Sequence, residues 1–574
     1  MALQFTPVKH PPLFPTYPFA TLQDLVDEVA TRYRDKVALA TKDKGAYHTT
    51  SFLQLRARVL ELSAGLAGLG TSKGDPVALI GENTTEWALS YLAIVSSGRV
   101  VVPVDRDLRP GEVRHILEFS EVETVLCSGR FVDDMVSLRA ETGRPNRVVS
   151  LEEEAGKGDH SFPELLERGY RELEGEPPYR LPEVGPEDLA AIIFTSGTMG
   201  SSKAVMLTHG NLTSNIIATS QFVSIQNDDH DRLLSVLPLH HTYECTCGFL
   251  TALYQGASIY HAENLRRIPE NLAESRATVV LGVPLLFETM YRRIEKGIRE
   301  TGERKFRIAK GVASLCERFG FRIRRRLFKP VHDRLGGSLR LLITGGAAMN
   351  PEVARGFRDL GINCIQGYGM TEASPLIAVN REANPKDSSV GMPLPGVEAR
   401  IVEGEITVRG PNLMLGYYKN PHATEEALEG GWLHTGDLGH LDRDGFLYVS
   451  GRKKSVIVTP NGKNVYPEEL EAHLNDRRFI AESLVWGGPW SDPALTEVQA
   501  IIMPDVEALD EEFGASNYDD ERIEKVIAEE VKQVNRVLAN YKRIRQFSRR
   551  HEEFEKTTTR KIKRYLYTGT PEPL

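Results

Sequence analysis

The chain has 574 residues, 41% hydrophobic and 26% charged, too long for one hydrophobic core and typical of a globular protein built from several packed units. Its 70 Lys and Arg against 79 Asp and Glu leave a formal charge of -9. That balance excludes a broad cationic field for a nucleic-acid backbone and favours small-molecule partners.

From residue 21 the pattern predicts helices and strands in alternation: helix "TLQDLVDEVATRYRD" with Thr21 as N-cap, helix "SFLQLRARVLELSAGLAGLG", strand "PVALIG", helix "TTEWALSYLAIVSSG", strand "VVVPVD", helix "PGEVRHILEFS" and strand "TVLCS". Short, nearly all-apolar strands between amphipathic helices imply parallel sheets covered on both faces, with ligands at the carboxyl ends of the strands. Residues 151–188, rich in Glu, Pro and Gly, read as a surface connection to a second block. That block opens with "IIFTSGTMGSSKA" (192–204), repeats the rhythm in "RLLSVLPL", "ATVVLGVP" and "LRLLITGG", and passes into "GEITVRG" and "GFLYVSGR", which alternate like antiparallel strands. Between 291 and 338 lies a cationic stretch in which Phe319, Phe321, Ile323, Leu327 and Phe328 interleave with arginines. It reads either as a contact for an anionic membrane surface or as a solvated helical excursion packing its apolar side on the domain. After "GRKKS" (451–455) the texture becomes that of a small α+β domain with an amphipathic helix "RIEKVIAEEVKQVNRVLANY" and a basic tail.

Cys127, Cys245, Cys247, Cys316 and Cys364 fit neither a disulfide framework nor a paired zinc site, and read as reduced thiols. The N-terminal twenty residues lack a basic region followed by an apolar core, and the densest apolar run, "VVLGVPLLF" (279–287), is too short to span a bilayer. The expected location is cytoplasmic, with peripheral contact at the inner membrane face as the variant reading.

The segment 195–203 looks like a phosphate-binding loop, because backbone N–H groups of a Gly/Ser/Thr turn wrap phosphate oxygens. It departs from the P-loop pattern at Ser202 and Ala204, and Ala204 lacks the hydroxyl that a P-loop gives to Mg2+. On its own this loop leaves a surface turn and a nucleotide site equally open.

Distant segments change the weight when taken in order: "TSGTMGSSK" (195–203), "PLHHTYE" (238–244), "TGGAAM" (344–349), "QGYGMTE" (366–372), "WLHTGD" (432–437), "GRKK" (451–454), "NGKNVYPEELE" (461–471) and "TRKIKR" (559–564). Together they resemble the acyl-adenylate-forming (AMP-binding) superfamily of acyl-CoA synthetases, luciferases and peptide-synthetase adenylation domains. The stretches "PVHDRLGGSLR" and "VIVTPNGKNVYPEELE" are most similar to the long-chain fatty-acid-CoA ligase branch.

The resemblance implies an α/β fold: a large N-terminal domain, 1–451, of parallel-sheet subdomains with a β-barrel-like part, and a small mobile α+β domain, 452–574, hinged near Lys454. It implies ATP, Mg2+ and coenzyme A as cofactor and co-substrates, and a fatty acid as the acid activated; an aryl or medium-chain acid is the alternative. Thr195, Ser196, Gly197, Thr198, Gly200 and Lys203 would grip the triphosphate. Gly345, Gly346 and Ala347 would leave room for adenine, with Tyr368, flanked by Gly367 and Gly369, on its other face. Thr371 would bond the α-phosphate, and Glu372, with Thr195, would supply oxygen to the metal. Asp437 would accept the ribose hydroxyls, with Arg452 beside it. His241, with His240 as runner-up, would stand near the reacting carboxylate, and Lys561 would bridge that carboxylate and the α-phosphate. After rotation at Lys454, the loop containing Gly462 would approach the thiol. An acyl carrier protein in place of CoA, and a catalytically degenerate nucleotide- or lipid-binding protein, are the competing readings.

Overall fold

The computed structural model describes residues 4–5, 11–195, 203–225, 231–319, 321, 323–459, 463–488, 496–515, 517–557 and 561–568. The chain divides into two compact units, a larger one comprising residues 7–398 and 408–433, and a smaller one comprising 1–6, 399–407 and 434–574.

Helix starts in the larger unit follow local chemistry. The Thr21 hydroxyl accepts the Asp24 N–H at 3.1 Å and Asp24 Oδ2 accepts the Thr21 N–H at 2.9 Å, so helix Leu22–Tyr33 begins with two of its unpaired donors satisfied. Ser51 with Gln54 opens Phe52–Gly68 in the same way, and Thr208 with Asn211 opens His209–Phe222. Each cap stabilises its helix by about 1 kcal/mol.

Two sheets organise this unit. The first runs in the order Gly416–Tyr417, Ala204–Thr208, Leu189–Phe194, Val100–Val104, Pro76–Ile80, Thr124–Cys127, Arg147–Ser150, His160–Ser161. Its central pairs are parallel, and "VVVPV" is buried at all five positions, as a strand covered on both faces must be. The second places Asn363–Gly369, Leu341–Thr344, Val279–Gly282, Arg232–Ser235 and Ser258–His261 side by side in parallel, with Leu376–Val379 added antiparallel. The loops after Phe194, Ser235, Thr344 and Gly369 therefore leave the sheets at strand ends, where α/β proteins bind ligands.

The structure corrects one expectation. Residues 151–188 are no simple connection: they contain the edge strand His160–Ser161 and helix Phe162–Glu174, which packs on Phe52–Gly68. A Cβ at Gly169 would lie 1.7 Å from the Glu61 carbonyl oxygen, so glycine lets the two helix backbones meet. The glutamates that suggested a loop form the solvated face of this helix, while Phe162, Leu165 and Gly169 form the buried one.

The cationic stretch continues helix Pro284–Arg318, kinked at Gly302 (φ 120°, ψ 95°), into helices Arg324–Leu327 and Lys329–Arg334. Phe306 and Phe328 meet with ring centroids 5.1 Å apart and Ala313 is fully buried, so one side packs inward. Ile308, Val312, Leu315 and Phe319, spaced i, i+4, i+7 and i+11, stay exposed, Phe319 at 73%. Among the described residues no helix is long and apolar enough to cross a membrane. All five thiols are free, and Cys245 and Cys247 are buried in the wide helical turn Tyr243–Leu250, where burial pushes Cys245 up to about 12.

In the smaller unit, Ile480–Gly488, Glu497–Pro504 and Gln546–Arg549 form a three-stranded sheet. Leu470, Leu474, Val485, Ile502, Ile527, Val531 and Val534 make its core. Helix Asp520–Val537 contributes Ile527, Val531 and Val534 at helical spacing. Strands Trp432–Leu441 and Leu447–Arg452 pair antiparallel, with Asp437 opposite Arg452.

Candidate active site

In the larger unit, strand Leu189–Phe194 turns back antiparallel as Ala204–Thr208, and the Lys203 carbonyl accepts the Thr195 N–H at 3.0 Å and the Thr195 hydroxyl at 3.2 Å. Those bonds close the base of the Gly/Ser/Thr loop. Ser196, Gly197, Thr198 and Gly200 lie outside the described residues. Ala204 pairs with Phe194 and is buried, so a side chain at that position packs in the sheet. The Lys203 ammonium stands 4.4 Å from the centroid of the Tyr417 ring.

Glu372 lies in the short turn Thr371–Ala373 after strand Asn363–Gly369, and is buried. The Tyr417 hydroxyl donates to its Oε1 at 2.8 Å. Burial, and next the Glu372 charge, raise the Tyr417 phenol far above its usual range, so it stays a donor. Asn215 and Asn412, both buried, donate from Nδ2 to the carbonyls of Ala373 and Leu376, which fixes the turn. Thr371 Oγ1 comes within 3.5 Å of Thr242 Oγ1, joining this turn to the "PLHHTYE" segment.

In that segment His241 Nδ1 accepts the Tyr243 N–H at 3.2 Å, which leaves the proton of a neutral ring on Nε2. His240 stands 3.6 Å from Asp105, but burial holds it down to about 4, assisted by Arg106 and opposed by Asp107. The Tyr243 hydroxyl donates to the Ile343 carbonyl at 3.0 Å, and a Cβ on Gly345 would lie 3.1 Å from the Tyr243 ring. Gly346 and Ala347 are exposed at the end of strand Leu341–Thr344, an open ledge of small residues. Tyr368 is half-buried, and its flanking glycines answer a packing need: a Cβ on Gly369 would lie 2.1 Å from the Pro375 oxygen, and one on Gly367 3.0 Å from Leu376.

In the smaller unit, Asp437 is buried, its carboxylate accepts from Arg452 Nε at 2.8 Å, and its own N–H donates to the Thr435 hydroxyl oxygen at 3.1 Å. Lys453 pairs with Glu405 at 2.9 Å, and Glu405 Oε1 accepts the Gly436 N–H at 3.0 Å. Lys454 is exposed in the turn Lys453–Ser455 and makes no ion pair among the described residues. The Lys561 carbonyl accepts the Thr557 N–H at 2.8 Å, and the Lys561 N–H donates to the Thr557 hydroxyl at 3.2 Å. Lys561 keeps solvent contact, yet the protein packed around it, and next Arg452, lower its ammonium below the ordinary lysine value, while Asp437 opposes. Gly462 lies outside the described residues.

Among the described residues no three His, Cys, Asp or Glu side chains cluster closely enough to hold a metal alone. A single buried carboxylate with one oxygen already bonded fits Mg2+ that arrives on a triphosphate, since such ions take one or two carboxylates plus phosphate oxygens and water. The Thr195 hydroxyl, which donates to the Lys203 carbonyl, is an oxygen of the kind such an ion takes. Sequence reading missed Tyr417, Thr242, Asn215 and Asn412. A Tyr in "LGYYKNP" or an Asn inside a helix carries no local signal of a bond made across 45 to 161 positions.

A family profile described as "AMP-binding enzyme" matches residues 26–418. The chain is similar to the long-chain-fatty-acid--CoA ligase FadD15 of Mycobacterium bovis, 32% identical over 89% of this chain and 88% of that protein. It is 30% identical to the peroxisomal long chain acyl-CoA synthetase 6 of Arabidopsis thaliana, over 87% of this chain and 76% of that one. Among solved structures it is similar in fold to the anthranilate CoA ligase AuaEII in complex with anthranoyl-AMP (TM-score 0.77, 21% identity, 96% of this chain and 97% of that one). ATP-bound MatB from Rhodopseudomonas palustris is likewise similar (TM-score 0.74, 25% identity, 95% and 98%). The loop base at Thr195 and Lys203, the braced Glu372 and the match across residues 26–418 lead to one conclusion: this chain belongs to the AMP-binding enzyme family.

Proposed function

We propose that the protein is an AMP-forming acid–thiol ligase that converts a fatty acid and ATP to acyl-AMP and pyrophosphate, then acyl-AMP and CoA to acyl-CoA and AMP. The observation that carries this reading is the convergence of Lys203, Tyr417 and Glu372, which sets a cation and a carboxylate around one rigid ring beside Thr371.

A fatty-acid carboxylate, with a pKa near that of Glu at about 4.3, is already ionised at neutral pH, so no general base is needed. What limits its attack is repulsion from the triphosphate. In the larger unit, Lys203 offsets charge on the departing pyrophosphate, the Thr371 hydroxyl donates to the α-phosphate, and His241 Nε2–H orients the carboxylate. Mg2+ held by Glu372, with Thr195 beside it, supplies further charge neutralisation when bound. In the smaller unit, Asp437 accepts the ribose hydroxyls and Lys561 supplies an ammonium to the carboxylate and α-phosphate. The flat ledge Gly346–Ala347 and the Tyr368 ring serve adenine.

Thioester formation asks for a different arrangement, because a thiol must replace the adenylating groups while water stays out. We place the mobile domain at 452–574 with its hinge at Lys454. Arg452 and Lys453 are tied by ion pairs to Asp437 and Glu405, whereas Lys454 is not, which supports it as the turning point.

The exposed stripe Ile308, Val312, Leu315 and Phe319 supports a peripheral contact with an anionic membrane. A soluble helix normally turns such a stripe inward, and here Arg304, Lys305, Arg318 and Arg326 stand exposed along the same stretch.

ATP–pyrophosphate exchange across a panel of carboxylic acids tests the reading, followed by thioester detection with CoA and with a holo acyl carrier protein. Exchange strongest with long-chain acids and thioester on CoA is expected. No exchange with any acid overturns the ligase reading, and thioester only on the carrier protein reassigns the acceptor.

A further inference from the structure

Tyr417 occupies an unusual place in the larger unit. It belongs to the two-residue strand Gly416–Tyr417 at the sheet edge, paired antiparallel with Val205. Its N–H donates to the Thr424 hydroxyl at 2.8 Å, and the following Tyr418 N–H donates to the Ala204 carbonyl at 2.7 Å. The neighbouring Gly416 has φ 149°, and a Cβ there would lie 2.7 Å from Thr424, so the backbone is held on both sides. From this anchored position the buried side chain touches two groups at once: the hydroxyl donates to Glu372 Oε1 at 2.8 Å, and the ring face carries the Lys203 ammonium at 4.4 Å.

We infer that Tyr417 is a positioning residue that couples the loop lysine to the metal-binding carboxylate, its hydroxyl aiming Glu372 and its ring aiming Lys203. Glu372 Oε1 is taken by the phenol, and Oε2 carries no hydrogen bond among the described residues, so the brace presents one chosen oxygen. A carboxylate without that donor rotates about its terminal torsion, which is broad and roughly two-fold, and meets a metal in the right orientation only part of the time. The ring does a separate task. A cation over an aromatic face is attracted to it without being committed to a hydrogen bond, so Lys203 is held near the loop base with its three N–H donors still available to phosphate oxygens. The two tasks reside in different parts of one side chain, and substitution separates them.

This inference rests on the adenylation reading of the site. The test measures ATP binding by calorimetry to the full chain, with Mg2+ and with chelator, in wild type, Tyr417→Phe, Tyr417→Leu and Glu372→Gln. Tyr417→Phe is expected to weaken Mg·ATP binding roughly tenfold, as loss of a hydrogen bond to a charged group does, while leaving metal-free ATP binding unchanged. Tyr417→Leu is expected to weaken metal-free binding as well. The double variant Tyr417→Phe/Glu372→Gln is expected to bind Mg·ATP no more weakly than Glu372→Gln alone, because the hydroxyl acts only through the carboxylate.

Equal Mg·ATP affinity in wild type and Tyr417→Phe overturns the inference, as does additive loss in the double variant or equal loss of metal-free binding in Phe and Leu variants. Wild-type protein whose ATP affinity ignores Mg2+ points instead to failure of the adenylation reading. Should Tyr417→Phe melt more than about 2 °C below wild type, both proteins are compared again at a temperature at which circular dichroism shows each fully folded, under the same criteria.

Discussion

Asp437 and Arg452 face one another across adjacent antiparallel strands, and the guanidinium Nε donates to Asp437 Oδ1 at 2.8 Å. The carboxylate is buried at 4% exposure while the arginine reaches solvent, so the pair holds an anion in place. Carboxylates accept two hydroxyls side by side, which is the pattern of a ribose diol. Asp437→Ala should therefore raise the KM for ATP by roughly tenfold to a hundredfold with a smaller effect on the KM for the acid. Steady-state kinetics with each substrate varied in turn decides this, and equal effects on both substrates contradict the ribose role.

Lys561 separates the two half-reactions. Lys561→Ala should abolish acyl-AMP formation while leaving thioester formation from supplied acyl-AMP intact. Equal loss of both sinks the division of labour. The pH dependence has a definite sign. Protein packed around Lys561, and then Arg452, lower its ammonium below the usual lysine value near 10.4, so adenylation should fall with rising pH earlier than an ordinary lysine would allow. Thioester formation from supplied acyl-AMP should lack that limb.

Glu244 carries a prediction about stability. It is fully buried, accepts the Ser235 hydroxyl, and burial raises its carboxyl to about 8 despite that bond. The folded state thus keeps a proton that the unfolded chain releases near pH 4.5, so Glu244 makes the fold less stable as pH rises from about 4.5 to about 8, and no further above that. Glu244→Gln removes this slope. Relative to wild type it should gain up to about 4 kcal/mol between pH 5 and pH 8 in denaturant titrations. A difference between the two proteins that is flat with pH contradicts a protonated Glu244.

The apolar stripe on helix Pro284–Arg318 is testable by sedimentation with vesicles. Replacing Leu315 and Phe319 by Ser should lower binding to vesicles containing phosphatidylglycerol by roughly tenfold or more, through lost apolar burial. Activity on a short, water-soluble acid should not change. Binding should also weaken with salt and be slight on neutral vesicles. A change of oligomeric state in place of vesicle binding assigns the stripe to a second copy of the chain.

Strand and helix positions in the larger unit are legible from local pattern because their causes are local. Capping pairs such as Thr21 with Asp24 lie three residues apart, and runs such as "VVVPV" announce a strand buried on both faces. The helix Phe162–Glu174 is the counterexample: it lies within the Glu-, Pro- and Gly-rich stretch 151–188 that reads as a connection, although Phe162, Leu165 and Gly169 recur at helical spacing on its buried side. Only the close approach to Glu61 shows why glycine stands there.

The chemistry divides along the same line. Sequence by itself determined the residue types and their order: a Gly/Ser/Thr loop ending in Lys203, "YGMTE", "HTGD" and "TRKIKR", enough to name a family and a candidate for each role. Tertiary structure alone decided who braces whom. Tyr417 meets Glu372 across 45 positions and Lys203 across the loop base, Asn215 and Asn412 fix the turn after Glu372, and His240 is held neutral by burial while His241 keeps its proton on Nε2. Hydrogen-bond direction, desolvation and cation–π contact depend on distances between segments far apart in the chain, and no periodicity or spacing within one segment encodes them.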